Sequence, residues 1–428
     1  MSTPKIVVVD GCRTPFLKAG TDYMDLMSYQ LGKEAIKGLL VKTGLDPARV
    51  GRVIMGTVIS NLKTSNVARE SALTAGVPNT VPAHTVTMAC ISANRAISTA
   101  VAEMMAGQYD VAIAGGVDST SDTPITFRKQ MQKKLFKAQK LRGLGDTLKF
   151  LTSLRPSDFL PERPRVAEYS TNRVMGQDCD IMAARFGVSR TEQDEFAVRS
   201  HQLAAQAWDE GHLDPEVVEV AVPPRFEPIT RDNGVRGDST VEKVSKLRPA
   251  FDKKFGTLTA ANSSFLTDGA AACLLMTEDT AKELGYTPLA EVVDYVFTGQ
   301  DLMDELLLGP AYSTAAILKK TGMQLSDFDV FEFHEAFAGQ ILSNLKALAD
   351  EDFSREKLGW DGAVGAIDMD TFNLWGGSLS IGHPFGATGA RLVTTASRRL
   401  QHSNGRYALV AACAAGAHGH GMILKRYE

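Results

Sequence analysis

The chain has 428 residues, 44% hydrophobic and 22% charged, a globular composition with enough apolar material for two or three cores rather than one. Lys+Arg 46 against Asp+Glu 50 leaves a formal net charge of -4, so no global field draws the protein to nucleic acid or to an anionic membrane, and any polyanion site must be local. The five cysteines are widely spaced with no CxxC pair, which argues against a disulfide framework or a structural zinc site and for reduced thiols in the cytoplasm.

In chain order, a strand-like run from Ile6 to Val9 starts almost at once, so no signal or transit peptide is expected, and a processed form from the mitochondrial matrix would look the same. The segment LMSYQLGKEAIKGLLVKTG reads as a helix ending at Gly44, and a strand follows around VGRVIMGTVI. After AHTVTMA, the apolar positions Ala93, Ala96, Ile97, Ala100, Val101 and Met104 recur at three-to-four spacing as far as Gly107, and DVAIAGG is strand-like again. Cys90 therefore sits where a strand hands over to a buried helix. From Asp122 to about Asp252 the alternation breaks into Pro-rich and charged stretches around one helix over 191–209, which predicts an insertion. Strand and helix then alternate again from GTLTAANSSFLTDGAAACLLMT to the end, repeating the first plan. The expectation is an α/β protein of two similar halves, 1–122 with 253–286 and 287–428, and an inserted domain over 123–252.

Three residues in small-residue turns suggest chemistry: Cys90 in TVTMACISANRAI, His383 in GGSLSIGHPFGATGA and Cys413 in LVAACAAGAHGHG. A helix N-terminus favours the thiolate that nucleophilic sulfur needs. A histidine in an open turn can take its proton. Amides in the AAGAHGHG run can face a substrate oxygen. Each residue also has a plain reading, the cysteines as small core residues and the histidine as a turn residue bonded to backbone. A metal site of Cys413, His418 and His420 with His383 is a further alternative, but its spacing matches no closed zinc pattern, and no metal is expected. FHEAF places His334 and Glu335 at a strand end, where ligands collect in α/β sheets, with Phe337 packed beneath.

Taken with QDEFAVRSHQLAAQA, KLRPAF, GTLTAANSSFLTDGAA, NLWGGSLSIGHPFGATGAR and CAAGAHGHG, these motifs run in order along the whole chain, which resembles the thiolases, in particular their trifunctional-complex branch. The resemblance implies a five-layered αβαβα fold with an inserted loop domain, and coenzyme A as co-substrate with no resident cofactor. It makes Cys90 the nucleophile on a 3-ketoacyl-CoA, His383 its base and Cys413 the acid and base for the acetyl-CoA enolate. His334 stands where the family's Asn-Glu-Ala-Phe motif has asparagine, holding a water for the enolate oxygen. The backbone amides of Cys90 and Ala415 face the tetrahedral oxyanion, and Arg236, Ser264, Phe251, Met175 and Phe337 lie at positions matching the acyl-CoA site. The activity implied is thiolytic cleavage in fatty-acid oxidation. The alternatives are an acetoacetyl-CoA-forming thiolase and a non-catalytic acyl-CoA-binding relative.

One stretch is a charge extreme. Between Arg128 and Arg155 stand Arg128, Lys129, Lys133, Lys134, Lys137, Lys140, Arg142, Lys149 and Arg155 against Asp146 alone, interleaved with Phe127, Met131, Leu135, Phe136, Leu148 and Leu151. This pattern suits peripheral contact with an anionic membrane or a partner, and equally a solvated helical face. The resemblance adds a homodimer or tetramer and a hydratase/dehydrogenase α subunit as partners, and no nucleic acid.

Overall fold

Alternation with a period of two builds the layers. In the strand Arg52–Gly56 (β2), Val53 and Met55 join one buried cluster and Ile54 another, so a single strand feeds two cores. The computed structural model describes residues 4–162 and 167–428; residues 1–3 and 163–166 belong to the first half and the inserted segment of the sequence reading and lie outside the described residues.

The remaining main strands are β1 (Ile6–Arg13), β3 (Ala83–Val86), β4 (Val111–Asp118), β5 (Thr267–Thr277), β6 (Ala290–Gly299), β7 (Val330–Phe333), β8 (Tyr407–Ala414) and β9 (His418–Arg426). They form a 10-stranded sheet in the order β7-β8-β9-β6-β1-β5-β4-β2-β3, with the short strand Leu17–Lys18 paired to β5. In the first half β2 runs parallel to β3 and β4, while β5 and β1 are antiparallel additions. The second half repeats the scheme, with β7 parallel to β8 and with β9 and β6 antiparallel. Where the halves meet, β1 and β6 share only the pairs Val7↔Glu291 and Val8↔Ala290.

Five layers follow from which face each side chain takes. Helix α1 (Ser28–Thr43), ended by Gly44 at φ 65, covers the outer face of the first half with Leu31, Ala35, Ile36 and Leu39. Helices α7 (Gly309–Thr321) and α8 (Ala338–Ala349) cover the outer face of the second. Between the halves lie α2 (Ser92–Met105) and α10 (Thr388–Ser403), whose Ala93, Ile97, Ala100, Ala390, Val393 and Leu400 pack with the inward residues of both sheets. Small residues let them meet: a Cβ on Gly389 would lie 2.6 Å from the Asn94 backbone nitrogen, and one on Gly116 would lie 1.8 Å from the Gly386 carbonyl oxygen.

The segment between β4 and β5 carries α3 (Lys129–Ala138), α4 (Leu144–Ser153), α5 (Met175–Arg185) and α6 (Arg190–Asp209). Ser189 caps α6 by accepting from the Glu192 amide, and the Glu192 side chain returns the bond, so this helix starts close to where its apolar pattern predicts. The α3–α4 pair is solvent-facing, with Phe136, Leu144 and Leu148 70%, 90% and 64% exposed among the lysines. No helix among the described residues is long and apolar enough to cross a membrane.

Candidate active site

The two central helices begin at the same place, and each brings one reactive residue. Ala89 turns the chain at φ 46, a left-handed value that a side chain resists, and Cys90 follows it directly into α2. Ser92 laces this turn, accepting from the Met88 amide at 2.8 Å and donating to the Ala89 carbonyl at 2.7 Å. His383 precedes α10, its amide donating to Thr267 Oγ1 at 3.0 Å, and Leu266, just ahead of β5, bridges to it. His334 leaves β7, its amide bonded to the Ala411 carbonyl at 2.8 Å. The ligating atoms of Cys90, His334 and His383 all lie within 4.8 Å of one another, and the two imidazole rings are 4.1 Å apart between centroids.

The tautomer of His383 follows from its neighbour. Thr388 Oγ1 lies 2.6 Å from His383 Nδ1 and 3.0 Å from the Pro384 carbonyl, which can only accept. The one hydroxyl proton goes to that carbonyl, so Thr388 accepts from Nδ1–H and leaves the lone pair on Nε2. That Nε2 is buried and has no hydrogen-bond partner. Burial, helped by Arg391, pushes the imidazole down to about 3, so it is neutral and ready to receive a proton.

Cys90 departs from the expectation of a resting thiolate at a helix N-terminus. The amides of Ala415 and of Cys90 itself favour the anion, but burial outweighs them and Asp118 adds to it, pushing the thiol up to about 11. The pair at rest is therefore thiol and neutral imidazole. Cys413 ends β8, buried beside Cys179, Ala336 and Phe337, and burial together with the nearby Cys90 sulfur raises it well above the usual thiol range.

Two buried carboxylates hold the surrounding loops. Asp118 at the end of β4 accepts from the amides of Val58, Ile59 and Gly386 and from Thr57 Oγ1, tying the turn after His383 to the first half. Glu335 accepts from Ser200 Oγ at 2.8 Å, Asn373 Nδ2 at 2.7 Å and the Leu379 amide at 3.3 Å. It thus fastens the short helix α9 (Ser378–Ile381) ahead of His383.

The residues expected to bind acyl-CoA fall into two groups. Met175, Phe251 and Phe337 gather with Cys413, the Phe251 and Phe337 rings meeting edge to face at 5.8 Å. Ser264 is half-buried, its amide donating to the Ala336 carbonyl at 3.0 Å. Arg236 stands exposed on a separate cleft of about 510 Å³, lined also by Lys18, His201, Lys243, Phe265 and Leu379. Lys18 lies 5.2 Å over the Phe265 ring, and its pKa is lowered by burial and by Arg236. Thr388, Ser378, Arg391, Lys18 and His201 were not among the sequence candidates. Thr388 lies inside the GHPFGAT motif as a hydroxyl one turn beyond the histidine, and that is the one signal that could have found it.

The alternative metal site comes apart in the structure. Cys413 pairs with Gly419 and Ala412 with His420, so Cys413 and His420 point to opposite faces of the sheet. His420 is instead buried with Asn94 Nδ2 at 3.0 Å on its Nδ1. A metal held by Cys90, His334 and His383 would need lone pairs on both Nε2 atoms and would block the thiol.

A layered α/β protein with a thiol, two imidazoles and a second thiol converging at the ends of its central helices belongs to the class of enzymes that carry an acyl group on sulfur. The chain is a member of the thiolase family, whose N-terminal domain profile matches residues 6–279 and whose C-terminal domain profile matches residues 286–426. It is 52% identical over 422 residues to the mitochondrial trifunctional enzyme subunit beta of Mus musculus, covering 99% of this chain and 88% of that one. It is 45% identical over 421 residues to the 3-ketoacyl-CoA thiolase of Pectobacterium carotovorum subsp. carotovorum, covering 98% and 96%. Among solved structures it resembles human mitochondrial 3-ketoacyl-CoA thiolase in complex with CoA, with a TM-score of 0.83 and 28% identity over 99% and 98% of the two chains. The Bacillus anthracis acetyl-CoA acetyltransferase is similar at a TM-score of 0.84 and 29% identity, over 99% of each chain.

Proposed function

We propose that this protein is a 3-ketoacyl-CoA thiolase of fatty-acid oxidation, cleaving 3-ketoacyl-CoA with CoA to acetyl-CoA and a shortened acyl-CoA. The observation that carries the reading is the convergence of the Cys90 sulfur on a neutral imidazole whose free lone pair, on His383 Nε2, has no other partner. His383 takes the thiol proton as Cys90 attacks the C3 carbonyl, and the amides of Cys90 and Ala415 receive the oxyanion. The C2–C3 bond breaks, the C3 acyl group stays on Cys90, and the acetyl-CoA enolate takes a proton from Cys413. The Cys413 thiolate then deprotonates incoming CoA, whose sulfur displaces the acyl group, and the departing Cys90 sulfur takes its proton back from His383, which restores the thiol and the neutral imidazole. A concerted transfer suits this site, because a free thiolate would have to survive in a pocket that raises thiol pKa values.

Arg236, Lys18 and Lys243 supply cations at the outer cleft for the phosphates of CoA, and Ser264 lies on the way inward. Met175, Phe251 and Phe337 offer apolar surface near Cys413 for the acyl chain. The inserted domain, 123–252, carries most of these groups, and the halves 1–122 with 253–286 and 287–428 carry the reacting ones. The α3–α4 pair, exposing Phe136, Leu144 and Leu148 among cations, is a peripheral contact with an anionic membrane, and the protein acts as a homodimer or tetramer beside a hydratase/dehydrogenase α subunit. Its compartment is the cytoplasm, supported by five unpaired cysteines, four of them buried. The trifunctional relative is mitochondrial by name.

The test is intact mass after brief exposure to 3-ketohexadecanoyl-CoA without free CoA. The protein gains a shortened acyl group, and Cys90→Ser does not. Turnover of acetoacetyl-CoA alone, with none of the long substrate, would overturn the oxidative assignment.

A further inference from the structure

His334 differs from His383 in the partner of its Nδ1. Ser378 Oγ lies 2.9 Å from His334 Nδ1 and 3.1 Å from Arg391 Nη2. A guanidinium has protons to give and no lone pair to offer, so Ser378 accepts from Arg391. Among the described hydrogen bonds, the only acceptor left for the Ser378 hydroxyl proton is His334 Nδ1. The serine donates, Nδ1 holds a lone pair, and the ring proton is placed on Nε2. That Nε2 is buried and has no partner among the described residues, and a ring nitrogen of His334 lies within 4.8 Å of the Cys90 sulfur and of a His383 ring nitrogen. Burial, with His383 and Arg391 beside it, holds the ring well below the usual imidazole range, so it is neutral. All three members of the chain are buried, with Arg391 and Ser378 0% exposed, so water does not scramble the arrangement. Arg391 is fixed in turn by Glu332 at 3.5 Å, which also accepts from Arg399 at 2.6 Å.

The two active-site histidines therefore carry opposite tautomers, set by two hydroxyls. Thr388 donates to a carbonyl, accepts from Nδ1–H and makes His383 an acceptor at Nε2; Ser378 accepts from an arginine, donates to Nδ1 and makes His334 a donor at Nε2. We infer that Ser378 and Arg391 are positioning residues that lock His334 as a neutral N–H donor for the thioester enolate oxygen, directly or through one water. This rests on the thiolase reading above, since the oxygen it serves is the one formed when C2 of acetyl-CoA gains or loses its proton. In that step Cys413, left as a thiolate once CoA departing from acyl transfer to Cys90 has taken its proton, removes a proton from C2, the C–H electron pair moves through C2 onto the thioester oxygen, and return of a proton from Cys413 restores the start.

The step is measured as exchange of the acetyl-CoA C2 hydrogens with deuterium oxide. Ser378→Ala slows exchange about tenfold or more, in keeping with loss of one aligned oxyanion donor, while Ser378→Thr keeps the hydroxyl and restores it. In a His334→Asn background, where a side-chain amide donates whatever its neighbour does, Ser378→Ala has no added effect. An equal loss in both backgrounds, or no loss in either, overturns the proposal. Nitrogen NMR of the native protein labelled with ¹⁵N-histidine, assigned with His334→Asn, reads the ring without recourse to activity or to the folding of the serine variant. Nδ1 of His334 is expected as the unprotonated nitrogen, and a protonated Nδ1 refutes the relay even in an active enzyme. A protein with the expected tautomer and no thiolysis refutes the functional reading instead.

Discussion

Thr388→Val keeps the shape of the side chain and removes the one atom that accepts from His383 Nδ1. A buried imidazole N–H left without an acceptor costs about 1–3 kcal/mol, and the ring lowers that cost by moving its proton to Nε2, where the nearby Cys90 sulfur is a weak acceptor. In that tautomer the nitrogen facing Cys90 has no lone pair and cannot take the thiol proton. Since 1.4 kcal/mol is about a factor of ten, the competent tautomer falls to roughly a tenth or less of the population, and acylation slows by about 10- to 100-fold. Rapid-quench mass spectrometry of Cys90 acylation by 3-ketohexadecanoyl-CoA reads this directly, because it stops before CoA enters. Thr388→Ser, which keeps both hydrogen bonds, should acylate near the native rate. Native-rate acylation by Thr388→Val, with the fold intact by circular dichroism, would refute the assignment of His383 as a base preset by its neighbour.

Other outcomes follow from the same geometry. Because burial pushes Cys90 up to about 11, its alkylation by iodoacetamide keeps climbing through pH 9 to 10, about tenfold per pH unit without base assistance; a plateau near neutrality would mean a resting thiolate. His420 is lowered by burial from 6.5 to about 3, so the unfolded chain binds this proton as pH falls below 6.5 while the folded protein does not. Stability present above 6.5 is lost on acidification, about 2 kcal/mol for this ring by pH 5, and chemical denaturation of His420→Gln should show an acid slope shallower than native by that amount. The same slope in both proteins would contradict it. Replacing Phe136 and Leu148 together with serine should reduce co-sedimentation with anionic phospholipid vesicles several-fold and leave thiolysis of soluble substrate alone; full retention on vesicles would rule out α3–α4 as the contact.

The elements were legible wherever periodicity was strong. The helix ended at Gly44 and the helix after Cys90 both run close to the lengths their apolar spacing implies, and the repetition of strand order between halves is visible in the sequence. Of the motif residues, Cys90, His334 and His383 meet in space, and Arg236 stands on a separate cleft. Two things could not be read from the chain. The charge state of Cys90 depends on desolvation against two amides, and a helix terminus alone pointed the wrong way. The tautomers depend on which hydroxyl has a carbonyl and which has a guanidinium beside it. Ser378 and Arg391 both stand in the NLWGGSLSIGHPFGATGAR run, but they meet His334 across 44 and 57 residues of sequence, and nothing local announces that pairing.

The seam between β1 and β6 amounts to two residue pairs, so the paired central helices are what make the molecule whole. Those helices bring Cys90 from one half and His383 from the other, while His334 and Cys413 arrive from the ends of β7 and β8 in the second half. The reacting set is therefore complete only when both halves are present, because Cys90 belongs to the first while His334, His383 and Cys413 all belong to the second.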